Sequence, residues 1–246
     1  MIPARYASTR FPGKPLADLG GRPMIQHVVE RARRARSLQR VIVATDDERI
    51  EAAVRAFGGE VQMTRADHPS GSDRVGEVAA RLQADIIVNI QGDEPFIAPE
   101  AIDLAVHTLQ RHPEAGVATL VRRCKSAEEL VSANTAKVVL DAGGRALYFS
   151  RSVIPFLREE SDPRRRLTQH PYFLHIGLYV FRKPFLLQFL QWPPGRLEQA
   201  ERLEQLRILE RGHTIVCAET EYESLCVDTP EDIVLARQKL KELSLA

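Results

Sequence analysis

Two kinds of apolar pattern alternate along the chain. Arg40-Val-Ile-Val-Ala-Thr45, Asp85-Ile-Ile-Val-Asn-Ile90 and Gly116-Val-Ala-Thr-Leu-Val121 are short continuous runs rich in β-branched residues, and they predict strands buried on both faces. Between them, Met24, Ile25, Val28, Val29 and Ala32 recur at helical spacing, as do Ile102, Ala105, Val106 and Leu109. Strand and helix in turn predict an α/β fold with a mostly parallel sheet covered on both sides. In such sheets ligands collect beyond the carboxyl ends of the strands.

The second half changes character. Ala136-Lys-Val-Val-Leu140 and Arg145-Ala-Leu-Tyr-Phe149 flank Asp141-Ala-Gly-Gly144, the pattern of a hairpin. The polar stretch 158–169, with Arg164, Arg165 and Arg166 in succession, predicts an exposed loop. Phe173 to Phe181 alternates like a strand, and helices are expected near 184–191 and 197–211. At the end of the chain Thr229 suits an N-cap, Pro230 the first helical position and Asp232 the acid of a capping box. No stretch is rich enough in Gly, Ser or Pro to separate domains, so one domain over 1–246 with an elaborated second half is expected.

Bulk numbers narrow the function classes. The 246 residues are 44% hydrophobic, which allows a substantial core. A net charge of +1 gives no global field for nucleic acid or an anionic membrane, and no apolar stretch reaches the roughly 18 residues of a membrane span. The first residues are not a hydrophobic run, so export is not expected. Cys124, Cys217 and Cys226 are odd in number and lack CxxC spacing, so reduced thiols in a cytoplasmic protein are expected rather than a metal site.

Candidate chemistry begins at the N-terminus. Arg5, Arg10 and Lys14 lie among Ser8, Thr9 and Gly13, where fixed cations and closely approaching backbone N–H groups suit a triphosphate. This is not a P-loop, because Pro15 stands where Ser or Thr is needed, and GxGxxG is absent. Gln91-Gly-Asp-Glu-Pro95 directly follows an apolar strand, which would project Asp93 into a ligand crevice. Mg²⁺ uses one or two carboxylates plus phosphate oxygens, and Asp93 with Asp228 fits that need. Both acids also suit plain turns, and Asp228 a helix cap. Asp46-Asp47 reads as structural, with Asp47 as an N-cap. Ser70-Gly-Ser72-Asp-Arg74 opens a helix whose hydroxyls and free amides can bind a base or a phosphate.

His175, Gly177 and Tyr179 would share one strand face, the outer two about 13 Å apart with the glycine clearing space between them. A buried, hydrogen-bonded His and Tyr is the structural alternative. Arg151 suits two-pronged carboxylate binding. Glu204 and Gln205 fall on a helix whose leucines face the core, so by default they are solvated.

Taken in order, several blocks resemble one family. Pro3-Ala-Arg-Tyr-Ala-Ser-Thr-Arg10, Pro12-Gly-Lys-Pro-Leu16, Val43-Ala-Thr-Asp46, Thr64-Arg-Ala-Asp-His68, Gln91-Gly-Asp-Glu-Pro95, Tyr148-Phe-Ser-Arg151, Leu203-Glu-Gln-Leu-Arg207 and Val227-Asp-Thr-Pro-Glu-Asp232 look like the 3-deoxy-D-manno-octulosonate (Kdo) cytidylyltransferases over nearly the whole chain. The resemblance implies a nucleotide-diphospho-sugar transferase-like three-layer sandwich with a mixed, mostly parallel sheet, working as a homodimer. It implies transfer of CMP from CTP to Kdo with release of pyrophosphate, for lipopolysaccharide biosynthesis, with Mg²⁺ required.

By position, Arg5, Arg10 and Lys14 would hold the CTP phosphates. Pro3, Ala4, Ser70, Ser72 and Arg74 would surround the cytosine and ribose. Asp93 and Asp228 would bind Mg²⁺, while Gln91, Arg151, His175, Tyr179, Glu204 and Gln205 would surround the sugar. The first strand is expected to be shortened or to lack its start, and Ser132-Ala-Asn-Thr135 lacks the proline common in the family, which predicts a loop difference. Competing readings are a cytidylyltransferase for 8-amino-Kdo or a sialic acid, a metal-dependent glycosyltransferase, and a non-catalytic nucleotide-binding module.

Overall fold

The computed structural model describes residues 1–7 and 11–245. Arg10, expected among the phosphate ligands, lies outside the described residues. The chain forms two compact units, Met1–Asp103 with Ser224–Ala246, and Leu104–Glu223.

In the first unit β1 (Ile2–Ala4), β2 (Ile42–Thr45) and β3 (Glu60–Met63) make a parallel sheet in that order, with Val43 paired to both Ile2 and Val61. β1 has three residues. β4 (Ile86–Asn89) runs beside its start: the Met1 nitrogen donates to Val88 O at 2.9 Å and Ile90 N–H donates to Met1 O at 3.0 Å, the bracketing pattern of parallel neighbours. α1 (Met24–Ala32) buries the five predicted apolar residues, of which Met24, Ile25, Val28 and Val29 contribute about 1.5–3 kcal/mol each. α2 (Glu48–Ala56) starts on Asp47, whose carboxylate accepts from Arg49 N–H at 3.0 Å. α3 (Gly71–Ala80) starts on Ser70, and α4 (Pro99–Arg111) carries the chain out of the unit. Turns at the carboxyl ends of β1, β2, β3 and β4 therefore supply Arg5, Asp46, the 64–70 loop and Asp93.

The second unit contains β5 (Val117–Arg123), α5 (Ala127–Val131), β6 (Lys137–Leu140), β7 (Ala146–Ser150), α6 (Pro163–Gln169), β8 (Phe173–Arg182), α7 (Lys183–Phe189), α8 (Arg196–Glu201), α9 (Leu206–Glu210) and β9 (Ile215–Glu219). Its strands lie in the order β7-β6-β8-β5-β9. Only β5 and β9 pair in parallel, so the sheet is mixed. The predicted hairpin is β6–β7, closed by Gly144 at φ 77° and by Asp141, which accepts from Gly143 and Arg145 N–H at 2.8 Å each.

Two expectations change here. The 163–169 segment is a helix, because Asp162 caps it, accepting from Arg164 N–H at 2.9 Å, and Pro163 fits its first position. The expected helix over 197–211 is two, because Arg202 turns left-handed (φ 54°) and ends α8.

α10 (Pro230–Leu245) belongs to the first unit and has the predicted capping box. Asp232 Oδ2 accepts from the backbone N–H of Asp228 and Thr229 at 2.9 Å each, while Thr229 Oγ1 accepts from Asp232 N–H at 3.4 Å. Val227, Ile233 and Ala236 pack with Leu19, Met24 and Phe96 in one apolar cluster. Among the described residues, no helix is long and apolar enough to cross a membrane.

Candidate active site

A cavity of about 480 Å³ in the first unit is lined by Pro3, Ala4, Arg5, Lys14, the 68–71 turn, Arg74, the 91–93 turn and Asp228. Glycines make its wall close. A Cβ on Gly92 would lie 2.8 Å from Pro3 O, and one on Gly71 would lie 3.2 Å from Pro3 Cγ. The end of β1 thus sits between two turns that approach it only because they lack side chains.

Lys14 is placed by a tight turn. Gly13 is left-handed (φ 73°), donates from its N–H to Tyr6 O at 2.9 Å, and would bring a Cβ within 3.0 Å of the Tyr6 ring. The Lys14 Nζ then donates to Asp93 Oδ2 at 2.7 Å and to Asp228 Oδ1 at 3.1 Å. Val227 N–H, donating to Asp93 O at 2.9 Å, ties the two acidic segments together. Acids from distant parts of the sequence therefore converge on one ammonium. Two carboxylates against one cation leave a negative surplus in a partly buried place.

That donor set fits a hard divalent ion. Among the described residues no third His, Cys, Asp or Glu joins the two acids, and Mg²⁺ characteristically takes its remaining ligands from phosphate and water. Arg5 is exposed on the same cavity, with no carboxylate partner among the described residues.

The 64–74 side of the cavity is held differently. Ser70 caps α3, its Oγ accepting from Asp73 N–H at 3.2 Å and donating to Asp73 Oδ2 at 2.7 Å. Ser72 is buried away from the cavity lining, its hydroxyl accepting from Asn89 Nδ2 at 3.4 Å. Arg74 is 4% exposed and faces Asp46 Oδ1 at 3.0 Å, a charge contact rather than an aligned hydrogen bond. His68 Nε2 pairs with Glu77 Oε2 at 2.6 Å, and Glu77 also accepts from Arg65 N–H at 3.0 Å and Arg81 Nη2 at 2.6 Å, so it ties the 65–68 loop to α3. Sequence reasoning singled out neither His68, which lines the cavity, nor Asp46, which contacts the lining residue Arg74. The available signal for Asp46 was its place at the carboxyl end of β2.

The other predicted residues form a cluster in the second unit. His175 and Tyr179 are not held about 13 Å apart as a regular strand implies. A register shift opposite Thr119/Leu120 leaves Gly177 and Leu178 unpaired, and the two rings lie 5.3 Å apart. Thr119 Oγ1 reaches the carbonyls of Ile176 and Leu178 at 3.1 and 2.8 Å. With its one proton directed there, the hydroxyl accepts from His175 Nε2–H at 2.9 Å. Burial lowers the His175 pKa to about 4 and pushes the Tyr179 phenol well above its ordinary value.

Gln205, expected to be solvated, is buried, because the break after α8 turns it inward at the start of α9; its Nε2 lacks a hydrogen-bond acceptor. Glu204 remains half-buried, with Arg207 Nη2 at 3.9 Å. Arg151 does not present an open fork: Nε donates to Glu201 O at 2.7 Å, Nη1 to Ala133 O at 2.8 Å and Nη2 to Arg202 O at 3.2 Å. The loop that lacks the expected proline is fastened by buried Lys137, whose Nζ donates to Ser132 O at 2.6 Å and Thr135 O at 2.8 Å.

Comparison with known proteins identifies the family. Residues 1–215 match a family model described as cytidylyltransferase. The 3-deoxy-manno-octulosonate cytidylyltransferase of Geobacter sulfurreducens is 52% identical over 248 residues, 98% of each chain. Its counterpart from Solibacter usitatus is 54% identical over 233 residues, 95% of this chain and 90% of that one. A solved structure of CMP:2-keto-3-deoxy-manno-octonic acid synthetase complexed with CTP superposes with a TM-score of 0.91 at 44% identity, covering 98% of this chain and 97% of that one. The 4-diphosphocytidyl-2C-methyl-D-erythritol synthase of Anaerococcus prevotii, at 14% identity and a TM-score of 0.60 over 98% of this chain and 97% of that one, shares the fold alone.

Proposed function

Because the chain belongs to the 3-deoxy-manno-octulosonate cytidylyltransferase family, we propose that it transfers CMP from CTP to the anomeric 2-hydroxyl of Kdo, with the cavity around Lys14 as its nucleotide site. The observation that carries this reading is the Lys14 ammonium held between Asp93 and Asp228. The 2-hydroxyl oxygen forms a bond to the α-phosphorus as the bond to the β-phosphate oxygen breaks. Pyrophosphate leaves, and the hydroxyl proton passes to solvent. No covalent enzyme intermediate is required, so alignment and charge placement supply the catalysis.

Lys14 and Arg5, with Arg10 assigned on the resemblance, face the charge that builds on the departing pyrophosphate. Asp93 and Asp228 would hold Mg²⁺. When bound, that ion neutralises phosphate charge and makes the sugar hydroxyl more acidic. Pro3, Ala4, Ser70 and Arg74 take the nucleoside. Ser72, buried against Asn89, acts through the start of α3 and not by direct contact.

The sugar is assigned to Gln91, which lines the cavity, and to His175, Tyr179, Glu204 and Gln205, where the acceptor-less Gln205 amide supports ligand binding. Arg151 braces the backbone of that cluster. The product serves lipopolysaccharide biosynthesis. Exposed Val131, Leu147 and Phe156 supply apolar surface for a homodimer, and three free thiols suit the reducing cytoplasm.

The test supplies purified protein with CTP, Mg²⁺ and Kdo, 8-amino-Kdo or a sialic acid, and reads pyrophosphate. Formation with Kdo is expected. Release of a nucleoside diphosphate from a preformed sugar nucleotide would instead overturn the assignment. Lys14→Ala should lower kcat roughly 30-fold, the worth of about 2 kcal/mol of charged hydrogen bonding, and leave the KM for Kdo within about twofold. An effect confined to Kdo binding would remove Lys14 from the phosphates.

A further inference from the structure

We infer that Asp46 is a positioning residue of the nucleotide site: it neutralises and aims the Arg74 guanidinium, so that this side of the cavity takes an uncharged base edge rather than a phosphate. The inference rests on the nucleotide reading above and adds how the two ends of the ligand are told apart.

Charge balance makes the distinction. Around Lys14 the carboxylates outnumber the cation, which suits a divalent ion and its phosphates, and Arg5 adds a cation without a carboxylate partner among the described residues. Arg74 is buried and already balanced, with Asp46 Oδ1 3.0 Å from Nη1. A phosphate drawn to Arg74 would meet Asp46 behind it. A neutral base would not.

Geometry adds to this. Nη1 is fixed by Thr64 Oγ1 at 2.5 Å and Arg65 O at 3.4 Å as well as by Asp46. Among the described residues Nε and Nη2 have no acceptor, and Arg74 lines the cavity. What remains is a pair of donors in fixed relation. It matches a pyrimidine edge with a carbonyl beside an unprotonated ring nitrogen, as cytosine has, and mismatches uracil, which carries N–H at that nitrogen. Asp47, the neighbouring acid, is occupied with capping α2, so Asp46 is left for this task.

Calorimetric binding of cytidine, CTP and inorganic pyrophosphate to the full chain tests it, with Asp46→Asn, Arg74→Lys and the double variant. Each single variant should weaken cytidine and CTP by the same factor, about tenfold, and leave pyrophosphate within about twofold. The double variant should be no weaker than the singles, because both break one contact. In turnover, KM for CTP should rise with kcat nearly unchanged, and preference for CTP over UTP should fall.

Where Asp46→Asn lowers the unfolding midpoint, Asp46→Glu keeps the charge but alters its reach, and should show the same paired loss. CTP binding within twofold of the parent in these variants overturns the inference, as does a loss of pyrophosphate equal to that of cytidine. A parent that binds cytidine yet makes no pyrophosphate from CTP and Kdo would count against the proposed reaction and leave this inference standing.

Discussion

Replacing Asp93 by Asn is expected to lower kcat with CTP and Kdo a hundredfold or more at saturating Mg²⁺, on the order of 2.7 kcal/mol of transition-state stabilisation. Asparagine keeps the shape and one carbonyl oxygen, so Lys14 retains an acceptor there and its second contact to Asp228 at 3.1 Å. The fold should therefore survive, with a melting temperature within a few degrees of the parent. The charge changes instead. One ammonium against one carboxylate has no negative surplus, and the hold on a divalent ion weakens while Lys14 loses its shorter, 2.7 Å ionic partner. Steady-state kinetics over a Mg²⁺ titration decide the matter: near-parental turnover would show that Asp93 has no part in holding the ion.

The second large effect is acid sensitivity in the other unit. His175 is half-buried, and its pKa is lowered to about 4, against an ordinary value of 6.5, because the surrounding side chains keep water from the charged form. The folded chain thus keeps the imidazole neutral where the unfolded chain takes up a proton. This contribution to stability is complete above pH 6.5 and is lost as pH falls toward 4, at about 1.4 kcal/mol per unit.

Between pH 6.5 and 5 the loss should come to about 2 kcal/mol, a window above the range where carboxylates of lowered pKa, such as Asp47 and Glu129, begin to act. Denaturant unfolding of the parent and of His175→Gln across that window measures it. The variant should show a much flatter pH dependence, even though it begins less stable. Identical slopes would mean that His175 is not the group responsible.

Much of the fold was legible because its signals are local. The α1 stripe, the Asp141–Gly144 hairpin turn and the Thr229–Asp232 cap each sit within a few residues, and each forms as read. The convergence of Asp93 and Asp228 was legible only as one acid following a strand and another beside a helix cap, and the family resemblance brought them together; the segment before Asp228 is not a strand. What escaped were features with no local signature. Residues 173–181 alternate in the same way whether or not Gly177 and Leu178 drop out of the ladder, so the closeness of His175 and Tyr179 was hidden. Arg202 carries no glycine to announce a left-handed turn, and the burial of Gln205 follows from that turn. Asp46 looked like half of an acidic pair, and only the packing of α3 reveals its separate partner.

The path of the polypeptide bears on how the acidic pair is assembled. The first unit is left at Asp103 and rejoined at Ser224, and the rejoining segment carries Asp228 and α10. Without that segment Lys14 would face Asp93 alone, one ammonium against one carboxylate. The acidic surplus facing that ammonium is therefore complete only once the polypeptide has re-entered the unit it left.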